Sequence, residues 1–142
     1  MTTLPLYRSL ADIEEVVRKF ETCEYEKQEF YHSRHLAVAA WYLSRFPAEL
    51  ALEKMRASLL RFTEHHGVKR YHETITRFWL LVVQDFLRTT LDQAPLAERV
   101  NELIRRYNDK NLLLEFYNRE RVMSDEARRT WIEPDRKQLC NL

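Results

Sequence analysis

A single glycine, Gly67, stands in a chain of 142 residues, alongside four prolines. Strand-rich folds need turn residues roughly every 10 positions, and this chain cannot supply them. The scarcity points to helices joined by short links. The length suits one domain able to bury a core without disulfides or metal. The expected fold class is therefore all-α: a single-domain antiparallel bundle of five to seven helices over residues 1–142.

Apolar spacing places the helices. Ser9 is an N-cap with Asp12 in the first turn, and Leu10, Ile13, Val16, Val17 and Phe20 follow at helical intervals. A second helix runs from about His32 or Ser33 to Arg45 and buries Leu36, Ala39, Ala40 and Leu43. Pro47 ends it and opens a third, with Leu52, Met55, Leu59 and Phe62 inward. Gly67 fits the left-handed position just past that helix. The fourth helix begins near Tyr71 to Thr74, carries Ile75, Trp79, Val83 and Phe86, and runs to about Leu91. Its hydrophobicity makes it the expected central helix. Pro95 opens a fifth, and a short turn or helix capped by Asp109 or Asn111 follows. Ser124 caps the last helix, DEARRTWI, with an extended tail from Pro134.

Twenty-three basic and 22 acidic side chains give a net charge of +1, with the signs interleaved. No basic stretch marks a nucleic-acid binder. The longest apolar runs, LAVAAWYL and FWLLVV, fall well short of the roughly 20 residues that span a bilayer. The segment MTTLPLYRSL lacks the apolar centre of a signal peptide. Cys23 and Cys140, far apart and outside any CxxC spacing, read as reduced thiols. A cytoplasmic protein without membrane contact is expected. One glycine leaves no Gly-rich phosphate loop, so no nucleotide cofactor is expected.

The five histidines occupy two short stretches, FYHSRHL and TEHHGVKRYHET. Antiparallel neighbours bring the start of the second helix, the end of the third and the start of the fourth to one pole. His32, His35, His66 and His72 share the apolar stripes there, and His65 faces solvent. Imidazoles with a carboxylate are a ligand inventory for zinc, iron or manganese. The candidate metal ligands are His32, His35 and His72 with Glu73 or Glu29, the last through the Glu-x-x-His spacing of EFYH. The candidate catalytic groups are His66, Glu73 and Tyr71. Thr74 and Thr76 would orient ligands, and Trp41, Phe78 and Trp79 would wall a pocket. The leading expectation is a metal-dependent small-molecule enzyme. The alternative is a non-catalytic bundle that binds a small molecule or a partner protein, with histidines that cap helices. The charged side chains of the fifth helix also allow pairing with a second copy as a homodimer.

Three segments, FYHSRHLAVAAWYL, HHGVKRYHETITRFWL and NRERVMSDEARRTWIEPD, resemble a group of small, all-helical, uncharacterised bacterial proteins. That group has a histidine-rich helix start and a Tyr-His-Glu-Thr segment. The resemblance covers Phe30 to Asp135. It implies a bacterial origin and the boundaries of the unit, and assigns no activity. It also draws attention to Trp131, Glu133 and Asp135, which are expected to fold back across the bundle as part of a lid.

Overall fold

The computed structural model describes residues 7–90 and 94–139. Five long helices come first: α1 (Leu10–Glu21), α2 (His32–Arg45), α3 (Ala48–His65), α4 (Glu73–Thr89) and α5 (Leu96–Tyr107). Three short ones follow: α6 (Leu113–Phe116), α7 (Arg119–Val122) and α8 (Asp125–Arg129). Among the described residues there is no strand, and the fold is an all-α bundle. Among the described residues no helix is long and apolar enough to cross a membrane. The expected end of α4 at Leu91 and the thiol of Cys140 lie outside the described residues.

Helices α1 and α3 end in the same way. Each closes with a Schellman motif, in which two amides beyond the helix satisfy carbonyls of its last turn. In α3, Val68 N donates to Thr63 O and Gly67 N to Glu64 O, with Gly67 at φ +68°. In α1, Glu24 N donates to Lys19 O and Cys23 N to Phe20 O, and Cys23 takes the left-handed position at φ +59°. The expected glycine stop thus has a twin that the sequence does not advertise.

Other ends differ in detail from expectation. Pro47 and Pro95 sit in the cap position, one residue before the first turn. Ser9 occupies the α1 cap without a side-chain bond, and Asp12 instead accepts from Arg8 N at 2.9 Å. Helix α8 stops at Arg129, because Thr130 is extended.

Two helices are central: α4, as its hydrophobicity suggested, packs against α2, α3, α5 and α8, and α2 is central too. Helix α2 packs against α1, α3, α4 and α5. Residues Leu36 to Ala40 are all at most 3% exposed. Three of the five are alanines, small enough for neighbours to approach on every side, so burial here follows side-chain size rather than mean hydropathy. Helix α4 instead serves two cores. Leu80, Val83 and Phe86 join α1, α2, α3 and α5, whereas Phe78 and Val82 join a second cluster with Phe116, Tyr117, Val122, Ala127 and Ile132. Trp79, expected wholly inside one stripe, is half-buried and touches both clusters, and Ile75 is likewise half-buried.

The C-terminal segment closes over that second cluster. Tyr117 Oη donates to Ile132 O at 2.7 Å, and Thr74 Oγ1 donates to Thr130 O at 2.7 Å. Asp135 accepts from Asn118 N and Nδ2, and Arg136 N donates to Phe116 O. The segment does fold back, and it is tied to α4 and α6 as a piece of the core.

Candidate functional site

His32 opens α2, half-buried, with its ring edge-on to Trp79 at 4.5 Å. Its Nε2 lies 3.0 Å from Tyr107 O, a carbonyl at the end of α5 that has no helical partner ahead of it. His35 lies one turn on, 4.2 Å from the Phe30 ring, with Nδ1 3.3 Å from Tyr31 O. Burial holds both imidazoles below their ordinary pKa, His35 down to about 4, with the nearby His32 as the next cause. Both are therefore neutral at pH 7. A ring nitrogen facing a carbonyl must carry the proton, which fixes each tautomer.

His66 caps α3 and packs against Phe62 at 4.5 Å, with Nε2 2.9 Å from Tyr25 O in the α1–α2 connection. His65, exposed as expected, stands 4.9 Å from the His66 ring. His72 is the N-cap of α4. Its Nδ1 accepts from Ile75 N at 3.1 Å, and its Nε2 donates to Val122 O at 2.6 Å. Both of its nitrogens are used, and burial lowers its pKa.

The carboxylates are also engaged. Glu73, 7% exposed, takes Arg56 in a two-point ion pair and the Tyr71 hydroxyl on the same Oε1. The bond to Arg56 holds its carboxyl below the usual range. Burial and then the bond to Glu73 push the Tyr71 phenol up to about 12, so it keeps its proton. Glu29 is exposed and accepts from Glu26 N, one half of a capping box around a 3-10 turn.

The sequence placed these groups at one pole; the start of α2 meets the end of α3 through Phe30 and Phe62, whereas Glu73 at the start of α4 faces Arg56 midway along α3. The side chains nevertheless divide among different partners. His35 and His66 line the aromatic cluster of Phe20, Phe30 and Phe62, His32 reaches α5, and His72 reaches α7. Among the described residues, no group of three or more His, Cys, Asp or Glu side chains is placed to hold a metal ion. His72 has no lone pair to give, and Glu73 is closed by Arg56. Only His32 and His35 of the expected ligands keep one ring nitrogen outside these bonds.

A different polar site lies where α1 and α3 end. A cleft of about 440 Å³ is lined by Glu21, Thr22, Cys23, Arg61, Glu64 and His65. Glu21 is held from the core side: buried Tyr42 donates to its Oε2 at 2.7 Å and sits 3.0 Å from buried Ser58 Oγ. Arg61 Nη1 donates to Glu21 O at 3.1 Å. Cys23 is a free thiol with Sγ 3.9 Å from Arg61 O. Sequence spacing gives no signal for this cleft, because its residues come from two helix ends about forty positions apart.

Set beside known proteins, the chain matches no family model, no curated protein and no solved structure.

Proposed function

We propose that this protein is a non-catalytic, small-molecule-binding helical bundle whose histidines are structural. One observation carries the reading. Each of the four histidines that are not exposed spends a ring nitrogen on a backbone carbonyl, and three of those carbonyls belong to another segment of the chain. An unpaired buried carbonyl costs about 1–3 kcal/mol, so the bonds from His32, His66 and His72 have a stabilising purpose of their own. The metal-dependent enzyme expected from the histidine inventory would need lone pairs that His72 and Glu73 have already committed. A reducing, cytoplasmic, bacterial setting belongs to the same proposal, supported by the free thiol of Cys23 and by the resemblance of the sequence.

The test is metal analysis of tag-free protein together with thermal melting in added zinc, iron and manganese. The expected result is no stoichiometric metal and no rise in Tm, while His72→Ala lowers Tm without changing metal content. One equivalent of metal that disappears in His35→Ala would overturn the reading.

A second reading retains a histidine site on one specific observation. His32 and His35 are both neutral, with one nitrogen fixed on a carbonyl, the arrangement that orients imidazoles as bases or ligands. The same metal analysis decides between the two.

A further inference from the structure

We propose that the cleft between the ends of α1 and α3 is a binding site for a dibasic α-amino acid. The proposal rests on the small-molecule-binding reading above and names its site and ligand class. The cleft is shallow and open to solvent, with about 440 Å³ of space for a small ligand.

The charges define the ligand. Glu21 and Glu64 contribute two negative charges and Arg61 one positive, so these three side chains sum to −1. Both α1 and α3 end here, and the negative poles of their dipoles add to that field. A simple anion is therefore disfavoured, and a simple amine leaves Arg61 unmatched. A ligand with one carboxylate and two ammonium groups matches all three side chains.

The positions suit those roles. Arg61 uses Nη1 on Glu21 O, which leaves Nε and Nη2 to face a carboxylate. Tyr42, itself bonded to Ser58, holds Glu21 Oε2 from inside the core and leaves Oε1 for a ligand. The Glu64 side chain makes no hydrogen bond or ion pair among the described residues, so its carboxylate is available to an ammonium. The bond from buried Tyr42 pre-orients the Glu21 carboxylate at the cleft wall, a charge that solvation alone would leave mobile.

The experiment is an amide-resolved NMR titration of the full chain with L-lysine and L-ornithine to about 10 mM, an upper limit suited to a shallow, millimolar site. Saturable shifts are expected at Thr22, Cys23, Glu64 and His65. Arg61→Gln and Glu64→Gln, both at exposed positions, should each weaken binding about tenfold and leave the rest of the spectrum in place. L-Glutamate should give no saturable shift, and a diamine such as 1,4-diaminobutane should bind more weakly than lysine. No saturable shift at those four amides overturns the cleft assignment and leaves the structural-histidine reading standing. So does a diamine that binds as tightly as lysine. Metal bound at His32 and His35 would overturn that reading and leave the lysine shifts intact.

Discussion

Arg56 and Glu73 face each other as a two-point ion pair between α3 and α4, with Nε 2.9 Å from Oε1 and Nη2 2.5 Å from Oε2. The glutamate is nearly buried and the arginine side chain is 35% exposed, so solvent reaches the pair from one side only. Arg56→Met leaves a buried carboxylate whose remaining bond is to Tyr71. A fully buried pair loses about 3–5 kcal/mol in such a change. Partial exposure of Arg56 scales this to about 2 kcal/mol, read from urea unfolding midpoints. The sign with pH is fixed as well. The Glu73 pKa is depressed in the fold, so its contribution is present above the unfolded pKa and fades as pH falls through the folded one. The Arg56→Met penalty should shrink in acid, and a penalty constant down to pH 3 would contradict the pairing.

His35 sets a second pH dependence in a different window. Its folded pKa is about 4 against 6.5 unfolded, so the unfolded chain binds a proton first on acidification. Stability is intact above about pH 6.5 and falls between there and pH 4. The shift corresponds to at most about 3 kcal/mol, less after allowance for the part of the ring that meets solvent. His35→Gln should be less stable than the native chain at pH 7.5, and the gap should narrow by about 2 kcal/mol at pH 4.5. Equal gaps at both pH values would show that His35 titrates normally.

The long helices were legible because their signals are local. Ile13, Val16, Val17 and Phe20 recur at the helical period, and Gly67 has one conformational use in a chain with no other glycine. The central place of α2 was not legible, since the small side chains of Ala37, Ala39 and Ala40 show their value only when neighbouring helices close on them. The nearness of His35 and His66 was legible too, but not the bonding of each ring. Whether His72 offers a lone pair depends on Val122, fifty residues away, and on an amide three residues along its own helix. Neither leaves a trace in spacing.

His72 should therefore behave as a cap. His72→Ala loses the acceptor for Ile75 N, about 1 kcal/mol, and leaves Val122 O without its donor, about 1–3 kcal/mol. A total near 2–4 kcal/mol is expected by chemical denaturation. Asparagine caps helices well but is too short to reach Val122, so His72→Asn should recover about 1 kcal/mol of that loss. If alanine and asparagine were equally damaging, the cap bond would carry no weight.

The twin Schellman ends give a paired test of backbone conformation. Nothing lies within 4 Å of a Cβ built at Gly67, so Gly67→Ala meets no steric clash and its cost is conformational. A left-handed residue with a side chain costs about 1–2 kcal/mol, and that is the expected loss. At the matching position of α1 the chain already bears this cost at Cys23. Cys23→Gly removes it but also gives up the partial packing of the thiol against the main core. The balance should stabilise the protein by up to about 1 kcal/mol, in contrast to glycine substitutions inside a helix, which destabilise by a similar amount. Melting curves of the two variants side by side decide it: Gly67→Ala should melt lower than the native chain and Cys23→Gly at or above it. A clear drop for Cys23→Gly would mean that the thiol packing outweighs the left-handed strain.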